Sequence, residues 1–176
     1  MLWENKLIYK LIMFASLKHK KQMMKYPEDT PYIAHCVGVM MNAIKYANMM
    51  QENINWNLLI GCALLHDVIE DTNTKYEEIN YEFGKEIADG VLALTKNKKL
   101  PKQRRMIDSI SRIKLQPLEV KIVKLSDRLF NMKDRVVIWD KIKLEEYKKE
   151  AELICKELGE FCLPLKKDLE LYIKQY

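Results

Sequence analysis

Glycine and proline are scarce in this 176-residue sequence, five of each. That scarcity excludes collagen-like and linker-rich architectures and leaves few natural breaks between elements. No apolar run approaches the roughly 20 residues that cross a bilayer. The opening stretch, MLWENKLIYKLIMFASLKHK, is interrupted by Glu4, Lys6 and Lys10 and has no small-residue cleavage site, so a secretory leader is not expected. Four cysteines, Cys36, Cys62, Cys155 and Cys162, show no CxxC spacing and sit in apolar helical contexts. They read as free, buried thiols in a reducing cytoplasm. The net charge of +5 is modest. It suits nucleic acid and equally a small polyanion drawn into a basic cleft, and composition does not choose between them.

What the sequence does hold is Leu, Ile, Lys, Glu and Met, residues that lose little rotamer freedom in a helix. Apolar spacing of three and four recurs throughout, and no segment alternates with a period of two for long. The expectation is an all-α single domain over 1–176, a bundle of about eight to ten helices. The spacing predicts helices near 3–24, from Pro31 onward, 57–70, 85–95, 101–113 and 117–134. A final stretch at 141–175 is divided at Pro164. Thr74 with Glu77 reads as a capping box opening a short helix that Phe83-Gly84 ends.

Histidine is also rare, three in all. His66 and Asp67 close the apolar run Leu58 to Leu65, where a buried polar pair is costly unless something satisfies it. A divalent cation does so, since imidazole nitrogen and carboxylate oxygen both suit borderline metals. Neighbouring helical residues point about 100° apart, so one ion meets both only from between them. Further ligands must come from other helices. His35, within an apolar helix, and Asp127, after Ile122 to Ser126, are well placed. An isolated His-Asp pair carries little weight. The order His, His-Asp, Asp on three apolar helices carries much more.

That order is the signature of the HD phosphohydrolase superfamily, and three blocks narrow the resemblance. HKKQMMKYPEDTPYIAH at 19–35, ALLHDVIEDTNTKYEEINYEFGKEIADGVLALTK at 63–96 and VKLSDRLFNMKD at 123–134 resemble the RelA/SpoT-type alarmone hydrolases, particularly their small stand-alone animal form. The resemblance implies an HD-domain helical fold and a manganese ion held by His35, His66, Asp67 and Asp127. It implies a catalytic pair, Glu70 and Asp71, and removal of pyrophosphate from the 3′ position of ppGpp. It also implies substrate contacts at Lys25 and Asn131, with Lys143 and Tyr147 toward the phosphates. The basic cluster around Pro101 adds Lys102 and Arg105 as an electrostatic funnel.

Two positions depart from the family pattern. Met23-Met24 stand where a cation is usual, a softer base contact that discriminates little between guanine and adenine. Phe130 stands where histidine is common. A second enzyme reading therefore keeps the chemistry and changes the substrate to an adenine alarmone or the 2′-phosphate of NADPH. A regulatory or nucleic-acid-binding module is disfavoured, because every ligand and both carboxylates are intact. The expected partner is a small nucleotide polyanion, in the cytoplasm, with no membrane.

Overall fold

Two helices are buried on nearly every side, and the rest of the fold is arranged around them. They are α3 (Trp56–Leu65) and α8 (Leu118–Asp134), in a computed structural model that describes residues 4–25, 27–134 and 140–175. Leu58 to Leu65 of α3 are all buried, and Glu119 to Leu129 of α8 likewise. A helix without a wet face belongs in a core. The helix α2 (Ile33–Ala47) packs against both, so three helices meet pairwise. Against this centre lie α1 (Asn5–Lys18), α6 (Lys85–Leu94) and α7 (Lys102–Lys114), while the single turn α4 (Val68–Asp71) and α5 (Tyr76–Phe83) pack on α6. The C-terminal pair, α9 (Lys141–Leu158) and α10 (Leu163–Gln175), is joined by a 3-10 turn at Gly159–Phe161 and packs on α8.

The all-α expectation holds, with ten helical segments among the described residues. One apolar cluster runs from Leu11 to Ile173. No helix among the described residues is long and apolar enough to cross a membrane. Arg128, 1% exposed, anchors α9: its guanidinium stacks 3.7 Å over the Tyr147 ring and donates to Glu150 at 2.9 Å. The Tyr46 hydroxyl donates to Asp168, fastening α10 to α2.

Three element boundaries differ from the sequence reading. The first helix stops at Lys18 rather than 24, because tertiary bonds claim the segment that follows. Tyr32 N–H donates to the Gln22 carbonyl at 3.0 Å and Met24 N–H to that of Thr30 at 2.8 Å. The helix expected over 57–70 breaks at His66-Asp67 and restarts as α4. The capping box does not form: α5 starts at Tyr76 behind Lys75 with no side-chain cap, and Thr74 instead bonds Thr72. Gly84, at φ 86°, does end α5.

Candidate active site

The break after α3 is where the chemistry gathers. The last carbonyls of a helix lack partners in the backbone ladder. His66 supplies one, donating from Nδ1 to the Ala63 carbonyl at 2.8 Å. That bond leaves Nε2 as the nitrogen that faces the cluster. Asp67, in the turn between α3 and α4, places its Oδ2 3.0 Å from His66 Nε2. Tyr32, just before α2, donates its hydroxyl to the same Oδ2.

His35 in the first turn of α2 and Asp127 in the middle of α8 complete the cluster. His35 Nε2 lies 3.3 Å from His66 Nε2, 3.5 Å from Asp127 Oδ1 and 3.7 Å from Asp67 Oδ2. His66 Nε2 is 3.7 Å from Asp127 Oδ1. Donors that share one ion at about 2.1 Å stand about 3.0–3.4 Å apart. The separations here run from 3.0 to 3.7 Å, and His35, His66 and Asp127 form a group that could hold a cation, with Asp67 beside it. Two carboxylates and two imidazole nitrogens converging in a buried pocket need positive charge, and a divalent cation supplies it. The electrostatics agree. Burial opposes the charged form of His66, but Asp67 and Asp127 outweigh it and raise its pKa to about 9. Burial lowers that of His35. Burial alone would raise the Asp127 carboxyl; Lys124 and the two histidines hold it well below the ordinary range.

A cavity of about 190 Å³ opens onto this cluster. Its wall includes Glu70, Asp71, Lys96, Lys124, Asn131 and Tyr147. Glu70 is held by its Oε2, which accepts Lys96 N–H at 2.8 Å, and by its carbonyl, which accepts the Lys98 ammonium. The cavity is smaller than the roughly 300 Å³ of a typical ligand pocket, so it suits one reacting group rather than a whole nucleotide. A groove of about 500 Å³ shares Lys96 and Tyr147 with it and carries Lys102 and Lys143.

Asn131, expected to face substrate, lines the cavity and also donates to Asp127 Oδ1 at 2.6 Å, while its own Oδ1 is buried without a partner. Other residues stand elsewhere than their sequence context suggests. Arg105 does not form part of the cavity or the groove; its guanidinium donates to the carbonyls of Leu100 and Lys98 and braces that loop. Lys102 pairs with Glu146 at 2.7 Å on the surface. Lys25 is exposed and does not line the cavity. Met24 is 6% exposed and sits in the core, so it offers no contact to a base, whereas Met23 is 53% exposed. Phe130 packs edge-on against the His35 ring, 5.3 Å between centroids.

Sequence reasoning missed Tyr32, Lys124 and Arg128. The last two carried a usable signal, since they flank Asp127 on a helix otherwise apolar enough to be central. Charged groups in such a place are costly without a partner or a task.

A family model described as HD domain matches residues 32–132. The chain belongs to the HD-domain family. The chain is 35% identical over 158 residues to a Xenopus tropicalis protein named guanosine-3′,5′-bis(diphosphate) 3′-pyrophosphohydrolase MESH1, covering 86% of this chain and 84% of that one. The Homo sapiens protein of the same name is 32% identical over 166 residues, covering 92% and 90%. A solved structure described as a metazoan ortholog of SpoT that hydrolyzes ppGpp shares the fold of this chain. The TM-score is 0.83 at 24% identity, over 99% of this chain and 98% of that one.

Proposed function

We infer that this chain is a metal-dependent hydrolase that removes pyrophosphate from the 3′ position of guanosine 3′,5′-bis(diphosphate), leaving GDP. The observation that carries the reading is the convergence of His35, His66, Asp67 and Asp127, with Glu70 and Asp71 on the wall of the same cavity. Relatives that bear this enzyme name over most of their length support the substrate.

The four converging side chains would hold the ion, and a two-nitrogen, two-oxygen set suits manganese. Such an ion lowers the pKa of a water and polarises a phosphate oxygen. The chain's own residues do the rest. Glu70 Oε2 is fixed by Lys96 N–H, so its Oε1 is the atom that can accept a proton from the attacking water. Asp71 lines the same wall and orients that water. The water oxygen bonds to the phosphorus on the ribose 3′ oxygen, the bond between them breaks, and the proton returns to the 3′ oxygen. Lys124 faces the cavity and attracts the phosphate there. Lys143, Tyr147 and Lys102 line the groove beyond, where the outer phosphates would lie. The four buried free thiols fit a reducing compartment.

The test is a nucleotide panel with added manganese, scored by product identity. GDP and pyrophosphate from ppGpp, abolished by chelator and restored by manganese, are expected. Release of monophosphate alone, or turnover of NADPH with none of ppGpp, overturns the substrate assignment.

A further inference from the structure

The third histidine has no part in the cluster around the ion, yet it is 3% exposed, and its Nε2 is buried without a partner. His19 follows the last residue of α1, at the point where the chain leaves the helix. Its Nδ1 lies 2.7 Å from Gln22 Oε1, and Gln22 Nε2 donates to Asp71 Oδ2 at 3.1 Å. The three side chains thus form a line from the core to the wall of the cavity. The geometry assigns Gln22, backed by His19, as a positioning residue for Asp71. This rests on the reading of Asp71 as part of the catalytic pair.

The orientation of each group follows from the next. An ionised carboxylate only accepts, so Gln22 must present its N–H to Asp71. Its carbonyl oxygen then faces His19 and needs a donor, which places the histidine proton on Nδ1. The backbone reinforces the same turn: Gln22 N–H donates to the His19 carbonyl at 2.8 Å. The Gln22 carbonyl in turn accepts Tyr32 N–H, and Tyr32 holds Asp67 through its hydroxyl. One short turn after α1 therefore braces a wall carboxylate directly and a ligand carboxylate through Tyr32.

Asp71 needs such a brace. It is exposed and closes a single helical turn, where a free carboxylate would sample several rotamers. Gln22 fixes one oxygen and leaves Oδ1 to the cavity. It is also neutral, so it orients the carboxylate without cancelling the charge with which Asp71 holds the attacking water. A lysine in its place would do both.

The experiment uses the manganese-loaded full-length protein with ppGpp. Gln22→Met keeps the length of the side chain and removes both polar ends. It should lower kcat about tenfold, with KM and bound manganese within about twofold of the parent and the melting temperature within a few degrees. In an Asp71→Asn background the same change should add less than a twofold loss. His19→Phe should mimic Gln22→Met, and His19→Asn, whose amide N–H can stand in for Nδ1–H, should recover most of the rate. If Asp71→Asn turns over like the parent, the reading of Asp71 falls and the brace falls with it. If Asp71→Asn is slow and Gln22→Met slows it by a further tenfold, or if Gln22→Met acts on KM or metal content instead, only the brace is overturned.

Discussion

At the scale of single residues the proposed site separates into groups that would hold an ion and groups that would act on what it activates. His66→Ala or Asp127→Ala removes a donor from the cluster, so metal content measured on the purified protein should fall and activity with it. Glu70→Ala should leave the ion bound and cut turnover roughly 100-fold or more, the usual range for a lost acid–base group. Full metal content with parental turnover in that variant would remove Glu70 from the mechanism. That His35, His66, Asp67 and Asp127 would gather was legible in the sequence because burial makes a polar residue on an apolar helix conspicuous. Lys25 and Arg105 could not be placed from sequence, because a cation in a polar stretch looks the same whether it meets substrate, solvent or a carbonyl. Arg105 meets carbonyls. Tyr32 was hidden for the opposite reason: an aromatic next to an apolar helix looks like core, and here it is 6% exposed while its hydroxyl reaches Asp67.

At the scale of elements, the helices were readable from apolar spacing, but their ends were set by tertiary bonds that spacing does not encode. The end of α1 at Lys18 is such a case, whereas the break at His66 is closed locally by its side chain on the Ala63 carbonyl; both serve the site. A third element-scale feature is the crossing of α2 and α8. A Cβ added to Gly38 on α2 would stand 2.1 Å from Phe130 Cε2, closer than any real contact. Phe130 in turn packs on His35. Gly38→Ala must therefore push the ring aside, into the histidine or away from the helix pair. It should destabilise the fold by about 1–3 kcal/mol, the cost of overpacking a tight core, and weaken metal binding by disturbing His35. Adding Phe130→Leu should recover much of both. Chemical unfolding and manganese titration of the two variants measure the effect; a silent Gly38→Ala would show that the crossing has slack.

At the scale of the whole molecule, an ion held by the proposed site would tie together α2, the α3–α4 break and α8, and would leave α9 and α10 outside its grip. The cysteines report on this division. Cys36 lies in α2 and Cys62 in α3; Cys155 lies in α9 and Cys162 just before α10. All four are buried. Burial raises the Cys62 and Cys162 thiols above their ordinary values and pushes Cys155 up to about 11, so the reactive thiolate is rare until the chain opens. Labelling with a thiol reagent in the folded state therefore reads opening. Cys36 and Cys62 sit fully buried in the helices that carry the ligands, so they should label only through unfolding that also destroys the metal site. Cys155 and Cys162 can be reached when the C-terminal pair lifts from α8 with the site intact. Manganese at about 100 times its dissociation constant stabilises the folded state by about 2.7 kcal/mol, and so slows opening-limited labelling about 100-fold. That protection should appear at Cys36 and Cys62 and be much smaller at Cys155 and Cys162, measured by pulsed alkylation and mass spectrometry with and without manganese. Equal protection at all four would mean that the helices open as one unit. Protection at none would mean that His35, His66, Asp67 and Asp127 do not bind the ion.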